Sequence, residues 1–281
     1  MTIAQALRDA TQVLAETSDT ARLDAEVLMA HALGVTRSEL LLRHLGGAVP
    51  AGFAALVERR SRHEPVAYIL GVQEFYGREF LVTPDVLIPR ADSETLVAAA
   101  LEIAPERVLD CGTGSGALLL TVLAERTEAR GVGIDNSPGA RAVARANADR
   151  LGLGGRAEIR TGDWTLPGWS DGLGPFDLIL ANPPYVEAEA DLAPSVRAFE
   201  PASALFAGPE GLDDYRALIP QFPALLSPNG IAVVEIGATQ AAAVRQIAEE
   251  AGFCALLRED LGGRARALIL RFPLGKPRRS P

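Results

Sequence analysis

The chain has 281 residues, of which 48% are hydrophobic and 22% charged, with a net charge of −9. That length holds one large domain or two, with enough apolar residues for a sizeable core. The acidic balance speaks against broad binding to phosphate backbones, which calls for a basic face. No apolar run approaches the ~18 residues of a membrane span, and the N-terminus lacks a charged-then-apolar signal pattern, so a cytoplasmic protein with no membrane partner is expected. Cys111 and Cys254 lack metal spacing and read as buried free thiols of a reducing compartment. His31, His44 and His63 are scattered, so neither a metal site nor a catalytic triad is expected.

Residues 1–72 read as helical. Thr2 is placed to cap a helix with Ile3, Ala6, Leu7, Ala10, Val13 and Leu14 at helical spacing. A second helix runs through Leu23, Val27, Leu28 and Leu33, with Gly34 placed to stop it. Thr36 and Glu39 have the spacing of a capping box. Pro50 suits the first turn of a helix through Phe53, Leu56 and Val57. Residues 73–90 change character. Glu74 to Val82 places β-forming residues around Gly77, which predicts a hairpin, and Pro84 and Pro89 punctuate its end. Asp92 is placed to cap a helix through Leu96, Val97, Ala100 and Leu101.

From Arg107 onward strands and helices alternate. Strands are predicted at 108–111, 131–135, 157–160, 176–181, 230–237 and 267–270, with helices at 117–124 and 140–151, one starting at Asp213, and one capped by Thr239. Such alternation gives a parallel sheet covered on both faces. Residues 186–212, with Pro194, Pro201 and Pro209, read as a long loop over the site. The tail Lys276–Pro281 is expected to be disordered.

Two motifs bear chemistry. Gly112-Thr113-Gly114-Ser115-Gly116 joins the first strand to the first helix, where backbone N–H groups are free for a ligand. Asp135 ends the second strand, at the position from which an acid accepts ribose hydroxyls. Asp163 and Trp164, after the third strand, offer an acceptor for an adenine amino group and a ring to stack on it. Gly112-x-Gly114-x-x-Ala117 also satisfies a relaxed dinucleotide fingerprint. The second motif is Asn182-Pro183-Pro184-Tyr185, directly after the fourth strand. Two prolines stop the ladder and hold Asn182 extended at the carboxyl end of the sheet. The Asn182 side-chain oxygen, the Pro183 carbonyl and the Tyr185 ring together form a clamp for a flat group bearing an –NH2. An adenosine carrying a reactive group aimed at Asn182 is implied, and S-adenosylmethionine fits, with Asp110 able to meet its ammonium or to order the loop.

These residues resemble the PrmC/HemK family, the peptide chain release factor glutamine methyltransferases, over residues 20 to 272. The resemblance rests on Glu64-Pro65-Val66-Ala67-Tyr68-Ile69-Leu70-Gly71, Glu74-Phe75-Tyr76-Gly77, Leu87-Ile88-Pro89-Arg90, the glycine loop, Gly162-Asp163-Trp164, Asn182-Pro183-Pro184-Tyr185 and Phe199-Glu200-Pro201. It implies an α/β class I S-adenosylmethionine-dependent methyltransferase, with a Rossmann-like, mostly parallel seven-stranded sheet and a small N-terminal helical bundle. The domains would be a helical substrate-recognition domain (1–72), a β-hairpin linker (73–90) and the methyltransferase domain (91–275). The implied cofactor contacts are Gly112, Thr113, Gly114, Ser115, Gly116, Asp135, Asp163, Trp164 and Asn182. Asn182 to Tyr185 would bind substrate, with Asn182, Pro183 and Tyr185 catalytic. The substrate would be the glutamine of the Gly-Gly-Gln motif of class I release factors, and a monomer is expected. The chain departs from the family at Ala91, where proline is usual, and in Gly262-Gly263-Arg264-Ala265-Arg266, where the family often has Gly-Gly-Asn-x-Arg. A ribosomal-protein glutamine methyltransferase shares the clamp, as does an adenine N6 or guanine N2 methyltransferase, which would need a basic surface. A nucleotide-binding regulator or oxidoreductase would use the glycine loop and leave Asn182 to Tyr185 unexplained.

Overall fold

A computed structural model describes residues 1–273; the tail expected to be disordered lies outside the described residues. The chain divides into two compact units, Met1–Val72 with Leu192–Phe199, and Gln73–Asp191 with Glu200 onward.

The first unit is helical. Thr2 caps the helix Ile3–Leu14, its hydroxyl accepting from Gln5 N at 3.3 Å. Gly34, at φ 69°, ends the helix Ala21–Leu33 in the left-handed conformation that glycine adopts without a Cβ clash. The Thr36–Glu39 capping box is present in both directions. The helix beyond Pro50 begins at Phe53 and runs to Ser61, so Pro50 sits in the preceding turn rather than the first helical turn. A short helix, Val66–Leu70, closes on Gly71. The core gathers Ile3, Leu7, Leu14, Leu28, Met29, Leu40, Phe53 and Ile69. The apolar stripe of the second helix differs from expectation: Leu23 is exposed, whereas Asp24 and Glu26 are buried. Arginines make this tolerable, because Arg60 Nε meets Asp24 at 2.7 Å and Arg22 and Arg37 both meet Glu26. Those pairs hold the Glu26 carboxyl below its ordinary range, against the cost of burial.

The second unit opens with the hairpin β1 (Val72–Phe75) and β2 (Arg78–Leu81), turning through Tyr76 and Gly77, both at positive φ. A seven-stranded sheet follows: β3 (Arg107–Cys111), β4 (Arg130–Asp135), β5 (Ala157–Thr161), β6 (Phe176–Ala181), β7 (Leu226–Glu235), β8 (Cys254–Glu259) and β9 (Ala265–Arg271). Its order is β5-β4-β3-β6-β7-β9-β8. The pairs up to β7 are parallel, and β9 runs antiparallel to both β7 and β8. Helices cover both faces. Ala117–Glu125 buries Leu119, Leu120 and Leu123 completely, each side chain contributing about 1.5–3 kcal/mol of transfer free energy.

Three expectations are corrected. Asp92 caps nothing: it lies within a 3-10 turn, Ala91–Ser93, and its carboxylate accepts from Arg266 Nη2 at 2.9 Å. Thr239 is not the cap of the last helix, which begins at Ala241 behind Gln240. Cys254 is exposed while Cys111 is buried. Cys254 starts β8, an edge strand whose residues alternate toward solvent, and the sequence reading passed over this strand.

Candidate active site

Parallel strands that stop in step create the site. Cys111, the last residue of β3, lies opposite Ile134 of β4 and Ala181 of β6. The residues that follow, Gly112, Asp135 and Asn182, therefore emerge along one edge, where chain order switches direction and open α/β sheets bind ligands. A cleft of about 270 Å³ opens there. Gly112 to Ser115, Asp135, Asp163, Trp164, Asn182 and Pro184 line it. Ile88, Pro89, Arg90 and Ser93 form a second wall, and Pro201, Ser203 and Ala204 a third; the segment expected to be a long loop carries the helix Pro194–Phe199 and the 3-10 turn Ala202–Ala204.

The glycine loop is fixed by its own backbone. Gly112 N and Thr113 N both donate to Ile134 O at 2.9 Å, and Gly116 N donates to Thr113 O at 2.7 Å. Gly114, at φ 54°, has open space where a Cβ would stand, so a ligand can approach its backbone. Its N–H donates to Asp135 Oδ2 at 3.0 Å, and Ser137 N donates to Oδ1 at 2.9 Å. Two further lone-pair positions of that carboxylate are left for hydroxyls in the cleft. Asp110, at the end of β3, accepts from Thr113 Oγ1 at 2.7 Å. Its other oxygen is buried and has no partner among the described residues. Burial pushes this carboxyl up to about 7; the Thr113 hydroxyl opposes the rise and the Asp135 charge adds to it. Asp110 is itself 1% exposed and is not among the residues that line the cleft.

Asp163 accepts from Thr165 Oγ1 at 2.6 Å and from Thr165 N at 3.0 Å, which hold it below the ordinary carboxylate range. The Trp164 ring sits over Gly112, and its indole N–H donates to Asp214 Oδ1 at 2.9 Å. The residues that line the cleft thus fit an adenosine-like ligand: a pinned acid for the ribose, and a ring and an acceptor for the base.

Asn182 is half-buried on the cleft wall, and no group among the described residues hydrogen-bonds its side-chain amide. Gly116, Pro183 and Tyr185 lie off the wall. Gly116 turns the chain into the helix, Pro183 is buried, and Tyr185 packs against the core on one face of the sheet. The Tyr185 hydroxyl donates to Glu235 Oε1 at 3.3 Å.

Several site residues escaped the sequence reading. Glu200 is buried; one oxygen accepts from Ile88 N at 3.2 Å and the other pairs with Arg90. Its signal was present, since Ile88-Pro89-Arg90 and Phe199-Glu200-Pro201 both carry the resemblance. Glu235 closes β7 and is 2% exposed, and burial pushes it up to about 7 against the pull of Ser93, Arg266 and Tyr185. Gln240 donates to the Tyr185 carbonyl at 3.0 Å. Arg266, at the start of β9 and at the end of the divergent segment, reaches Asp92 and Asp260.

Fold and cleft together define a methyltransferase. Residues 104–262 match the family described as a methyltransferase domain, and residues 5–71 match the PrmC N-terminal domain. A methyltransferase from Pyrococcus furiosus shares the fold, with a TM-score of 0.54 at 16% identity over 70% of this chain and 90% of that one. Sequence relatives narrow the class. The chain is 44% identical to the release factor glutamine methyltransferase of Cereibacter sphaeroides, over 97% of this chain and 99% of that protein. It is 43% identical to that of Rhodospirillum rubrum, over 89% and 78% respectively. The chain belongs to the release factor glutamine methyltransferase family. The expected class I fold, with its mostly parallel sheet of seven strands and N-terminal helices, is the fold found. Among the described residues no helix is long and apolar enough to cross a membrane.

Proposed function

We propose that this enzyme transfers a methyl group from S-adenosylmethionine to the side-chain nitrogen (N5) of the glutamine in the Gly-Gly-Gln motif of class I peptide chain release factors. The observation that carries the reading is Asn182, whose amide has no hydrogen-bond partner among the described residues and lies in a cleft lined by Asp135, Asp163 and Trp164. In this reading residues 1–72 hold the release factor, 73–90 link, and 91–275 carry out catalysis, as a cytoplasmic monomer without direct nucleic-acid binding.

When bound, S-adenosylmethionine supplies a methyl group on a positively charged sulfur. Asp135 takes the ribose hydroxyls, Asp163 and Trp164 the adenine, and the loop Gly112–Gly116 the amino-acid part, with Asp110 beneath it as counter-charge. A glutamine nitrogen is a poor nucleophile because its lone pair is delocalised into the carbonyl. The Asn182 side-chain oxygen and the Pro183 carbonyl accept its two N–H bonds and so turn the lone pair toward the methyl. Pro184 and Tyr185 keep those acceptors stiff. Alignment of this kind is worth up to about 7–11 kcal/mol of barrier in favourable cases. With that group bound, the nitrogen–carbon bond would form as the sulfur–methyl bond breaks, its electron pair staying on sulfur. One amide proton, acidic only once the new bond develops, then leaves to water, so no strong base is required beforehand.

The test is label transfer. Purified protein with labelled S-adenosylmethionine is given, separately, a release factor, a ribosomal-protein candidate and nucleic acid. Label in the release factor, abolished when the Gly-Gly-Gln glutamine is replaced, is the expected result. Label confined to ribosomal protein or nucleic acid would overturn the substrate assignment.

A further inference from the structure

No group among the described residues hydrogen-bonds the Asn182 side chain, but the residue three positions on is held at both ends. The Tyr185 hydroxyl donates to Glu235 Oε1 at 3.3 Å, and the Tyr185 carbonyl accepts from Gln240 Nε2 at 3.0 Å. The Gln240 amide joins further segments: Nε2 also faces Gly211 O at 3.2 Å and Glu210 O at 3.4 Å, while Oε1 accepts from Gly237 N at 3.1 Å. Packing here is close. A Cβ on Gly211, which sits at φ +66°, would stand 2.2 Å from Tyr185 O and 2.8 Å from Gln240 Nε2. Glu235 is buried, and its second oxygen has no partner among the described residues. Burying a carboxyl costs stability, and Ser93, Arg266 and Tyr185 offset that cost only in part. Neither Glu235 nor Gln240 lines the cleft.

Two successive prolines fix φ between Asn182 and Tyr185, making the link short and stiff. Whatever holds Tyr185 therefore sets where Asn182 points. We propose that Glu235 and Gln240 are positioning residues for methyl transfer, holding Tyr185 by its hydroxyl and its carbonyl and thereby fixing the Asn182 and Pro183 oxygens that receive the substrate amide. The inference rests on the methyltransferase reading above and adds the support behind the clamp.

The experiment is steady-state kinetics on the release factor, with cofactor affinity by calorimetry, for wild type, Gln240→Ala, Glu235→Ala, Glu235→Gln and Tyr185→Phe. Because a misplacement of ~1 Å costs ~10²-fold in rate, Gln240→Ala and Glu235→Ala are each expected to lower kcat by about tenfold to a hundredfold, with the cofactor Kd moving less than about twofold. Glu235→Gln keeps an acceptor for the hydroxyl and should restore most of kcat. Tyr185→Phe should match Glu235→Ala, and their double variant should lose no more than either alone. Should the alanine variants fail to fold, Tyr185→Phe still decides: near-wild-type kcat there overturns the Glu235 tether. Near-wild-type kcat in Gln240→Ala overturns the other half. A loss in Glu235→Gln as large as in Glu235→Ala would assign the effect to charge and overturn the hydrogen-bond tether. Wild-type protein that labels no release factor would instead overturn the functional reading itself.

Discussion

The two sides of the cleft are made rigid by different means. On the side of the glycine loop, backbone does the holding: Ile134 O takes two N–H groups, and Asp135 is gripped by the amides of Gly114 and Ser137. On the side of Asn182 the backbone donates little, because two prolines have removed their N–H groups. Side chains from β7 and from the turn before the last helix supply the support instead. The first side depends on its glycines and on the one carboxylate of Asp135. The second depends on a few named side chains.

Asn182→Ala breaks the second side alone. Turnover should fall by about 10²–10⁴-fold, as loss of a group acting in the transition state does, while calorimetry finds the cofactor still bound. Comparable losses of turnover and cofactor affinity would mean the two sides are not separable. Asp135→Ala breaks the first side. Cofactor Kd should rise about tenfold to a hundredfold, since a charge-assisted hydrogen bond is worth about 1.5–3 kcal/mol, and saturating cofactor should recover most of the turnover. An unchanged Kd would remove Asp135 from the binding site.

Glu235 sharpens the contrast through pH. Burial raises its carboxyl from 4.5 to about 7, so between those values the folded chain holds more protons than the unfolded chain. Its contribution to stability therefore falls as pH rises from about 4.5 to about 7, by at most about 3 kcal/mol. Glu235→Gln, which cannot ionise, should be more stable than wild type to urea at pH 8 and should differ little at pH 4.5. An equal difference at both pH values would show that the carboxyl is not strained by burial. The smallest effect belongs to the helical unit. Thr36→Ala removes one half of a capping box and should cost about 0.5–2 kcal/mol in unfolding, with cofactor Kd unchanged.

Much of this was legible in the sequence, wherever local rules govern. Period and turn residues marked the strands that carry Gly112, Asp135 and Asn182, the hairpin at Gly77, and the capping box at Thr36. Misreadings arose where a side chain is claimed from afar. Asp92 had the look of a cap, but Arg266, 174 residues on, takes its carboxylate. Thr239 is not the cap because the helix starts behind Gln240, whose side chain is taken by Gly237 and Tyr185 and caps nothing. The second helix showed Leu23 and Val27 as its stripe, since Arg60 and Arg37 that bury Asp24 and Glu26 come from other segments. β8 was missed because an edge strand of six residues with alternating exposure leaves only a weak pattern. Glu235 and Gln240 could not be assigned at all, since their role follows from the β6–β7 pairing and not from any spacing along the chain.

The two sides of the cleft are completed by different lengths of chain. The glycine loop and its acid are complete once β4 has been made and paired with β3. The clamp at Asn182 emerges later, and its supports at Glu235 and Gln240 later still, in a strand and turn that follow it by more than 50 residues. A chain that ends at β6 holds the glycine loop and its acid, but lacks Asp214, which takes the Trp164 indole N–H, and both supports of the clamp.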